Sequence, residues 1–199
     1  VTRSIVADRS SRTAASAEPP FEAYVSFVRP VTMETAGTLL AACQTLMSEG
    51  VEHIHLAVGS GGGSIIAGLS VYNQLRALPL RFTTYNVGSV DSVAILPYLL
   101  GEERYADQWT SFLFHGVSWT FGSNGDTAHT QVADAYACVS SYERTLSAIT
   151  ASRTGIPEQR IREMRSNSTI LSAEDARSMG LATRLGAFSI PRQGRWWQV

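Results

Sequence analysis

The sequence predicts an α/β domain built around a parallel sheet, and three observations carry that expectation. Short apolar runs alternate with stretches of helical spacing along most of the chain. Two strand-to-helix junctions hold glycine- and serine-rich turns, Gly59-Ser60-Gly61-Gly62-Gly63-Ser64 and Gly88-Ser89-Val90-Asp91-Ser92. The 199 residues, 44% of them apolar and 17% charged, are enough for one sizeable core. Residues 21–188 read as a single domain, preceded by an N-terminal arm (residues 1–20) and followed by a C-terminal tail (residues 189–199).

Each element has its own signal. Residues 1–20 are rich in Ser, Ala and Arg and close on Pro19-Pro20, the composition of a mobile arm. Residues 22–28 alternate and read as the first strand. Residues 33–48 place Leu39, Leu40, Cys43, Leu46 and Met47 at helical spacing, with Thr32 as N-cap and Gly50 as the stop. Residues 53–58 form a short apolar strand. Residues 65–78 carry Ile66, Leu69, Val71, Leu75 and Leu78, a helix stopped by Pro79. Residues 80–87 are the next strand. Residues 92–100 read as a short helix, in which Pro97 is admissible only near the first turn. Residues 109–115 are another strand, and the Gly/Ser/Asn-rich residues 118–126 a loop or irregular hairpin.

The longest helical pattern spans residues 127–153, with Val132, Ala135, Tyr136, Val139, Leu146 and Ile149 on one stripe. Gly155-Ile156-Pro157 breaks it. Two short helices follow, residues 157–165 and 172–179. The second opens on Ser172-Ala173-Glu174-Asp175, a hydroxyl N-cap with an acid three residues on. Gly180 ends it, and residues 181–185 add a last strand. Strands alternating with helices imply parallel pairing. The terminal Trp196 and Trp197, beside Arg192 and Arg195, read as core or interface anchors.

Composition excludes several function classes. The net charge is −1 and no basic stripe stands out, so nucleic acid is not an expected partner. Every basic side chain is an arginine, which removes any mechanism that needs a lysine base or a Schiff base. Cys43 and Cys138 sit on helical patterns among apolar residues and read as free thiols, not a disulfide framework. No run approaches the roughly 18 apolar residues a membrane span needs. Residues 1–20 lack an apolar core, so they do not read as an intact signal peptide, and a cytoplasmic protein is expected. No cofactor and no metal are expected. His53 and His55 share a strand face by period two, but no third ligand is evident nearby, and both read as structural. His129 reads as solvated.

Three features between Gly59 and His115 fit acyl transfer, which needs a nucleophile, a base and donors for an oxyanion. The glycines Gly61, Gly62 and Gly63 precede a helix, where orphan N–H groups favour an anion. A phosphate loop or a plain tight turn fits that segment equally well, although it lacks the Lys of a P-loop and the glycine spacing of a dinucleotide fingerprint. Ser92 sits at a second strand-to-helix junction, as an N-cap or as a nucleophile whose neighbour Val93 donates its amide. His115 ends an apolar strand and is either a structural histidine or a base. Asp91, adjacent to Ser92, reads as a structural acid bonded to backbone at the helix start.

Together these segments resemble the ClpP family, the proteolytic subunit of the Clp protease, within the ClpP/crotonase fold. Ser60-Gly61-Gly62-Gly63 resembles the family's Ser-Pro-Gly-Gly, and Ala67-Gly68-Leu69-Ser70-Val71-Tyr72 the helix after it. Gly88-Ser89-Val90-Asp91-Ser92 resembles Gly-x-Ala-Ala-Ser, and Leu113-Phe114-His115 the Met-Ile-His strand end. The long helix resembles the family's handle, with Thr154-Gly155 as the turn after it, and Leu171-Ser172-Ala173-Glu174 with Gly180-Leu181 the final segment. The resemblance covers about residues 22 to 185. It implies stacked parallel strands, surrounding helices and a protruding handle helix. It also implies Ser92 as nucleophile, His115 as base, and Gly62, Gly63 and the Val93 amide as oxyanion hole.

The departures are specific. Gly61 stands where the family has proline. The family's third triad member is an Asp shortly before Leu-Ser-Ala, and ungapped spacing puts Ser168 there, beside Asn167. Either could orient His115, or Asp126 or Asp134 could do so. A neutral orienter stabilises an imidazolium less, and loss of the carboxylate costs on the order of 10⁴ in rate. The resemblance implies a serine peptidase acting on peptides or unfolded chains in a ring-forming homo-oligomer. The family's axial segment for an AAA+ ATPase partner is not recognisable in residues 1–20. A catalytically weak or inactive structural subunit is the alternative, and a crotonase-type acyl-CoA enzyme a further one. A Ser-Lys peptidase of the same fold is excluded by the missing lysine.

Overall fold

The computed structural model describes residues 21–122, 126–192 and 194–199, so the N-terminal arm and part of the 118–126 segment lie outside the described residues. Eight strands form one sheet in the order β6-β5-β3-β2-β1-β8, with β4 joined to β3 and β7 to β4. They are β1 (Glu22–Phe27), β2 (His53–Ser60), β3 (Arg81–Asp91), β4 (Glu103–Ala106), β5 (Ser111–Phe114), β6 (Thr169–Ser172), β7 (Arg184–Leu185) and β8 (Arg195–Gln198). Every pairing is parallel except β5 with β6. The six α-helices among the described residues are α1 (Met33–Ser48), α2 (Ile65–Ala77), α3 (Ile95–Tyr98), α4 (His129–Thr154), α5 (Glu158–Ser166) and α6 (Ala173–Ser178).

The expected caps are present. The Thr32 hydroxyl accepts from the Thr35 amide at 3.1 Å and starts α1. Ser172 accepts from the Asp175 amide at 3.1 Å while Asp175 accepts back from the Ser172 amide at 3.3 Å, a reciprocal box that starts α6. Gly155, at φ 76°, closes α4 in the left-handed conformation that glycine adopts without penalty.

The feature that positions the site is the fork in β3. Its first half, Thr83 to Asn86, pairs with β4, and its last three residues, Ser89 to Asp91, pair with β5. Asn86 fills the fork. It is fully buried, its amide donates to the Ser111 carbonyl at 2.7 Å, and its side-chain oxygen accepts from Gly88 N–H at 3.0 Å. A buried amide with both ends bonded replaces the ladder where one partner strand leaves and another arrives. β3 therefore runs four residues beyond the strand expected at 80–87, and its extra length carries the chain to Ser92.

The core lies between the sheet and helices α1, α2 and α3, where Leu39, Leu46, Leu56, Leu75, Leu96, Tyr98 and Phe112 are all below 2% exposed. The buried Arg104 and the half-buried Arg153 bond backbone carbonyls. Arg153 reaches Leu99, Leu100 and Gly101, tying the base of α4 to the end of α3. The outer half of α4 stands clear of this core: of the expected stripe, Ala135 and Leu146 are buried, but Val132 is 48% and Tyr136 75% exposed in the single chain. The segment expected as a tail contains β8, which pairs with β1 through Ala23 to Ser26. Trp197 packs against the core, and Arg195 lies over it at 4.9 Å while pairing with Glu49. Among the described residues no helix is long and apolar enough to cross a membrane.

Candidate active site

Ser92 is the residue at which β3 turns into helix. It opens a single 3-10 turn, Ser92–Ala94, which runs directly into α3. Its φ is 56°, in the left-handed region. That conformation costs a residue with a Cβ about 1–3 kcal/mol and persists only where surrounding structure imposes it. Part of that structure is Asp91. Its carboxylate accepts from the Ser89 hydroxyl and from the Leu113 amide, the latter at 3.1 Å. Asp91 thus ties β3 to β5 and does not bond the helix start as expected.

The glycine turn closes on Ser92 from the other side. Gly62 has φ +92°, and a Cβ there would stand 2.8 Å from the Ser92 Cβ and 2.9 Å from the Asp91 carbonyl. Gly63 has φ +145°, and a Cβ would meet the Val31 carbonyl at 2.3 Å. Gly61 has open space around it and needs no unusual backbone. The Gly62 N–H donates to the buried Ser60 hydroxyl at 3.2 Å. The bridge between Val31 and Gly63 uses the Gly62 carbonyl and the Ser64 N–H, so the Gly63 N–H stands outside that ladder. Behind the turn, Gly68 lets α2 pack on Val93: a Cβ would lie 2.4 Å from its side chain.

His115 follows β5 directly and is half-buried. Its Nδ1 lies 2.8 Å from the Gly116 carbonyl. A carbonyl only accepts, so Nδ1 carries a proton, and in the neutral ring Nε2 is then the basic nitrogen. Among the described residues no hydrogen bond joins Ser92 to His115. The turn that supplies the carbonyl is held by Glu143 of α4, which accepts from the Val117 N–H at 3.0 Å and lies 3.2 Å from where a Gly116 Cβ would be. Glu143 also faces Arg165, whose guanidinium burial pushes below its ordinary range while Glu143 opposes the shift. Sequence reasoning missed Glu143. It lies three, four and seven residues before the buried Leu146, Ser147 and Thr150, and a charge on that inward face was the available signal.

The two sequence candidates for the third member lie at the α5–β6 turn. Asn167 caps α5 and is exposed, and Ser168, at φ 49°, leads into β6. Among the described residues neither side chain hydrogen-bonds to His115. Asp126 and Asp134 line a separate cleft with Trp119, Phe121 and Gln131. Cys43 is fully buried, and burial pushes its thiol up to about 12, so it stays an inert thiol. At the far end of β2, burial holds the His55 imidazole below its ordinary value; the nearby His53 adds to this and Glu22 opposes it.

Comparison with known proteins shows the family and the fold. The family model for Clp protease matches residues 20–187. The ATP-dependent Clp protease proteolytic subunit 2 of Chlamydia muridarum is 31% identical over 158 residues, covering 78% of this chain and 76% of its own length. The proteolytic subunit 1 of Chlamydia felis shows the same identity and coverage, 31% over 158 residues. A ClpP1 mutant from Listeria monocytogenes superposes with a TM-score of 0.74 at 17% identity, over 83% of this chain and 91% of that one, and shares its fold.

Proposed function

The chain belongs to the Clp protease family, and on that premise we propose that it hydrolyses peptide bonds with Ser92 as nucleophile and His115 as base. The Ser92 Oγ adds to the scissile carbonyl and passes its proton to His115 Nε2. The Gly63 and Val93 amides receive the oxyanion at the start of the helical turn, with Gly62 keeping Ser92 in its left-handed conformation. The tetrahedral adduct collapses as Nε2 returns the proton to the leaving amine. Water then releases the acyl group by the same sequence.

The observation that carries this reading is Ser92 at φ 56°, on a strand-to-helix turn packed against Gly62. The orienting partner of His115 is the Gly116 carbonyl, buttressed by Glu143, in place of Asn167 or Ser168. A carbonyl fixes the tautomer but brings no charge to the imidazolium. Slow turnover follows, by up to about 10⁴-fold relative to a carboxylate triad.

The same missing charge favours a second reading, a catalytically weak or inactive subunit. An acyl-CoA reading has less support, because Asp91 is bonded to Ser89 and Leu113 and Glu103 pairs with Arg184. By analogy with relatives named as proteolytic subunits of an ATP-dependent protease, substrates are peptides or unfolded chains. The working form is a homo-oligomeric ring, and an ATPase partner delivers longer substrates. Hydrolysis of a short fluorogenic peptide by the wild type and by Ser92→Ala separates the two readings. The first expects turnover that the variant abolishes. Equal rates in both proteins would establish the second.

A further inference from the structure

At the start of β2, the opposite end of the strand from the glycine turn, three side chains converge. Glu22 is the register partner of His53 on the neighbouring β1, and His55 shares their face two residues on. His53 Nδ1 is 3.1 Å from Glu22 Oε1, and His55 Nε2 is 3.4 Å from Glu22 Oε2. All three ligating atoms lie within 4.8 Å of one another, the one such trio among the described residues. The two imidazoles are 13% exposed and Glu22 39%, so the cluster is walled by protein on one side and open to water on the other.

We propose that Glu22, His53 and His55 bind a divalent first-row transition metal ion, with Zn²⁺ the best fit. The outer ring nitrogens are already committed: His53 Nε2 to the Thr83 hydroxyl and His55 Nδ1 to the Tyr85 hydroxyl, both at 2.9 Å. Those β3 hydroxyls fix each ring with its other nitrogen toward Glu22, where His53 Nδ1 is already hydrogen-bonded to Oε1, the role outer partners play around metal-bound histidines. Tyr24 stacks on His55 at 4.6 Å and 8°, which locks the ring plane.

The inner atoms then pose a problem. His55 Nε2 is buried and has no hydrogen-bond partner, yet it faces a carboxylate oxygen. A cation held between that nitrogen and the carboxylate would satisfy both groups. Metal–ligand bonds of about 2.0–2.1 Å put adjacent ligands of a tetrahedral site roughly 3.3 Å apart; each imidazole lies near that distance from one Glu22 oxygen, 3.1 Å to Oε1 and 3.4 Å to Oε2. Two imidazoles and one carboxylate suit zinc, cobalt or nickel and not magnesium or calcium, which take oxygen ligands. Water completes the coordination from the open side.

Calorimetry with Zn²⁺ and visible spectroscopy with Co²⁺, on the full chain, test the site. One ion per chain is expected, with the intense visible bands of tetrahedral Co²⁺. His55→Ala should weaken binding by about 100-fold or more, and Thr83→Val, which removes only the outer hydroxyl, by about 10-fold. Glu22→Gln, at a part-exposed position and of the same size, should weaken it too while its circular dichroism matches the wild type. His129→Ala, outside the cluster, should bind as the wild type does. Failure of the wild-type chain to take up either ion overturns the proposal. So does uptake that survives unchanged in both His55→Ala and Glu22→Gln. Neither outcome depends on peptide hydrolysis.

Discussion

The two ends of β2 are built by different means. At its C-terminal end, Ser60 to Gly62 meet Ser92, and the arrangement is made by backbone: two glycines at positive φ, one strained serine and an imidazole oriented by a carbonyl. At its N-terminal end, Glu22, His53 and His55 meet through side chains, and register alone brings them together. Backbone sites tolerate almost no change at the residues whose conformation is forced. Side-chain clusters tolerate change in the fold but lose their ligand. The contrast separates what each substitution should do.

The largest effect should come from the base. His115→Ala should slow covalent labelling of Ser92 by at least about 10⁴-fold, since loss of a triad histidine costs up to about 10⁶ in kcat. Stopped labelling kinetics would measure it, and an unchanged rate would remove His115 from the mechanism. Gly62→Ala comes next. It forces a Cβ to 2.8 Å from the Ser92 Cβ at a position with φ +92°, and should destabilise the fold by about 2–4 kcal/mol in chemical denaturation. Gly61→Ala, with open space around it, should stay within about 0.5 kcal/mol of the wild type. Similar costs at the two glycines would contradict the close approach to Ser92.

Smaller effects distinguish the orienting groups. Glu143→Gln keeps the shape but weakens the bond to Val117, and should slow labelling by about 3- to 10-fold, as expected for a charged hydrogen bond made neutral. Asn167→Ala and Ser168→Ala should leave the rate within about twofold, because neither side chain bonds to His115. The reverse order of effects would return the third role to the α5–β6 turn. Least of all should change at Cys43: with its thiol pushed up to about 12 and fully buried, it should resist alkylation at neutral pH until the chain unfolds, which mass spectrometry of alkylated peptides would follow.

How much was legible in the sequence follows the same division. Parallel α/β order, α1, α2, the long α4 and the caps at Thr32 and Ser172 follow from local spacing and local hydrogen bonds. Ser92, Gly62 and His115 were visible because strand ends mark themselves in sequence. β4, β6 and β8 were not, since four-residue strands such as Glu103–Ala106 carry too little alternation and are defined by their partners. The fork of β3 depends on Asn86, whose role appears only once Ser111 lies beside it. The Glu22 contribution to the histidine pair was hidden for the same reason: 31 residues separate Glu22 from His53, and only the β1–β2 register joins them. The outer face of α4 reads as a core stripe although Tyr136 is 75% exposed, because periodicity records a face and not what covers it.

The central claim is that Ser92, held strained against the glycine turn, is an activated nucleophile. Reaction with a fluorophosphonate, followed by peptide mapping of the adduct, tests it most directly. The account predicts one adduct, on Ser92, absent in Ser92→Ala and formed far more slowly in His115→Ala. No adduct anywhere between about pH 6 and 9, the range in which a histidine base operates, or an adduct that persists in Ser92→Ala, would contradict it.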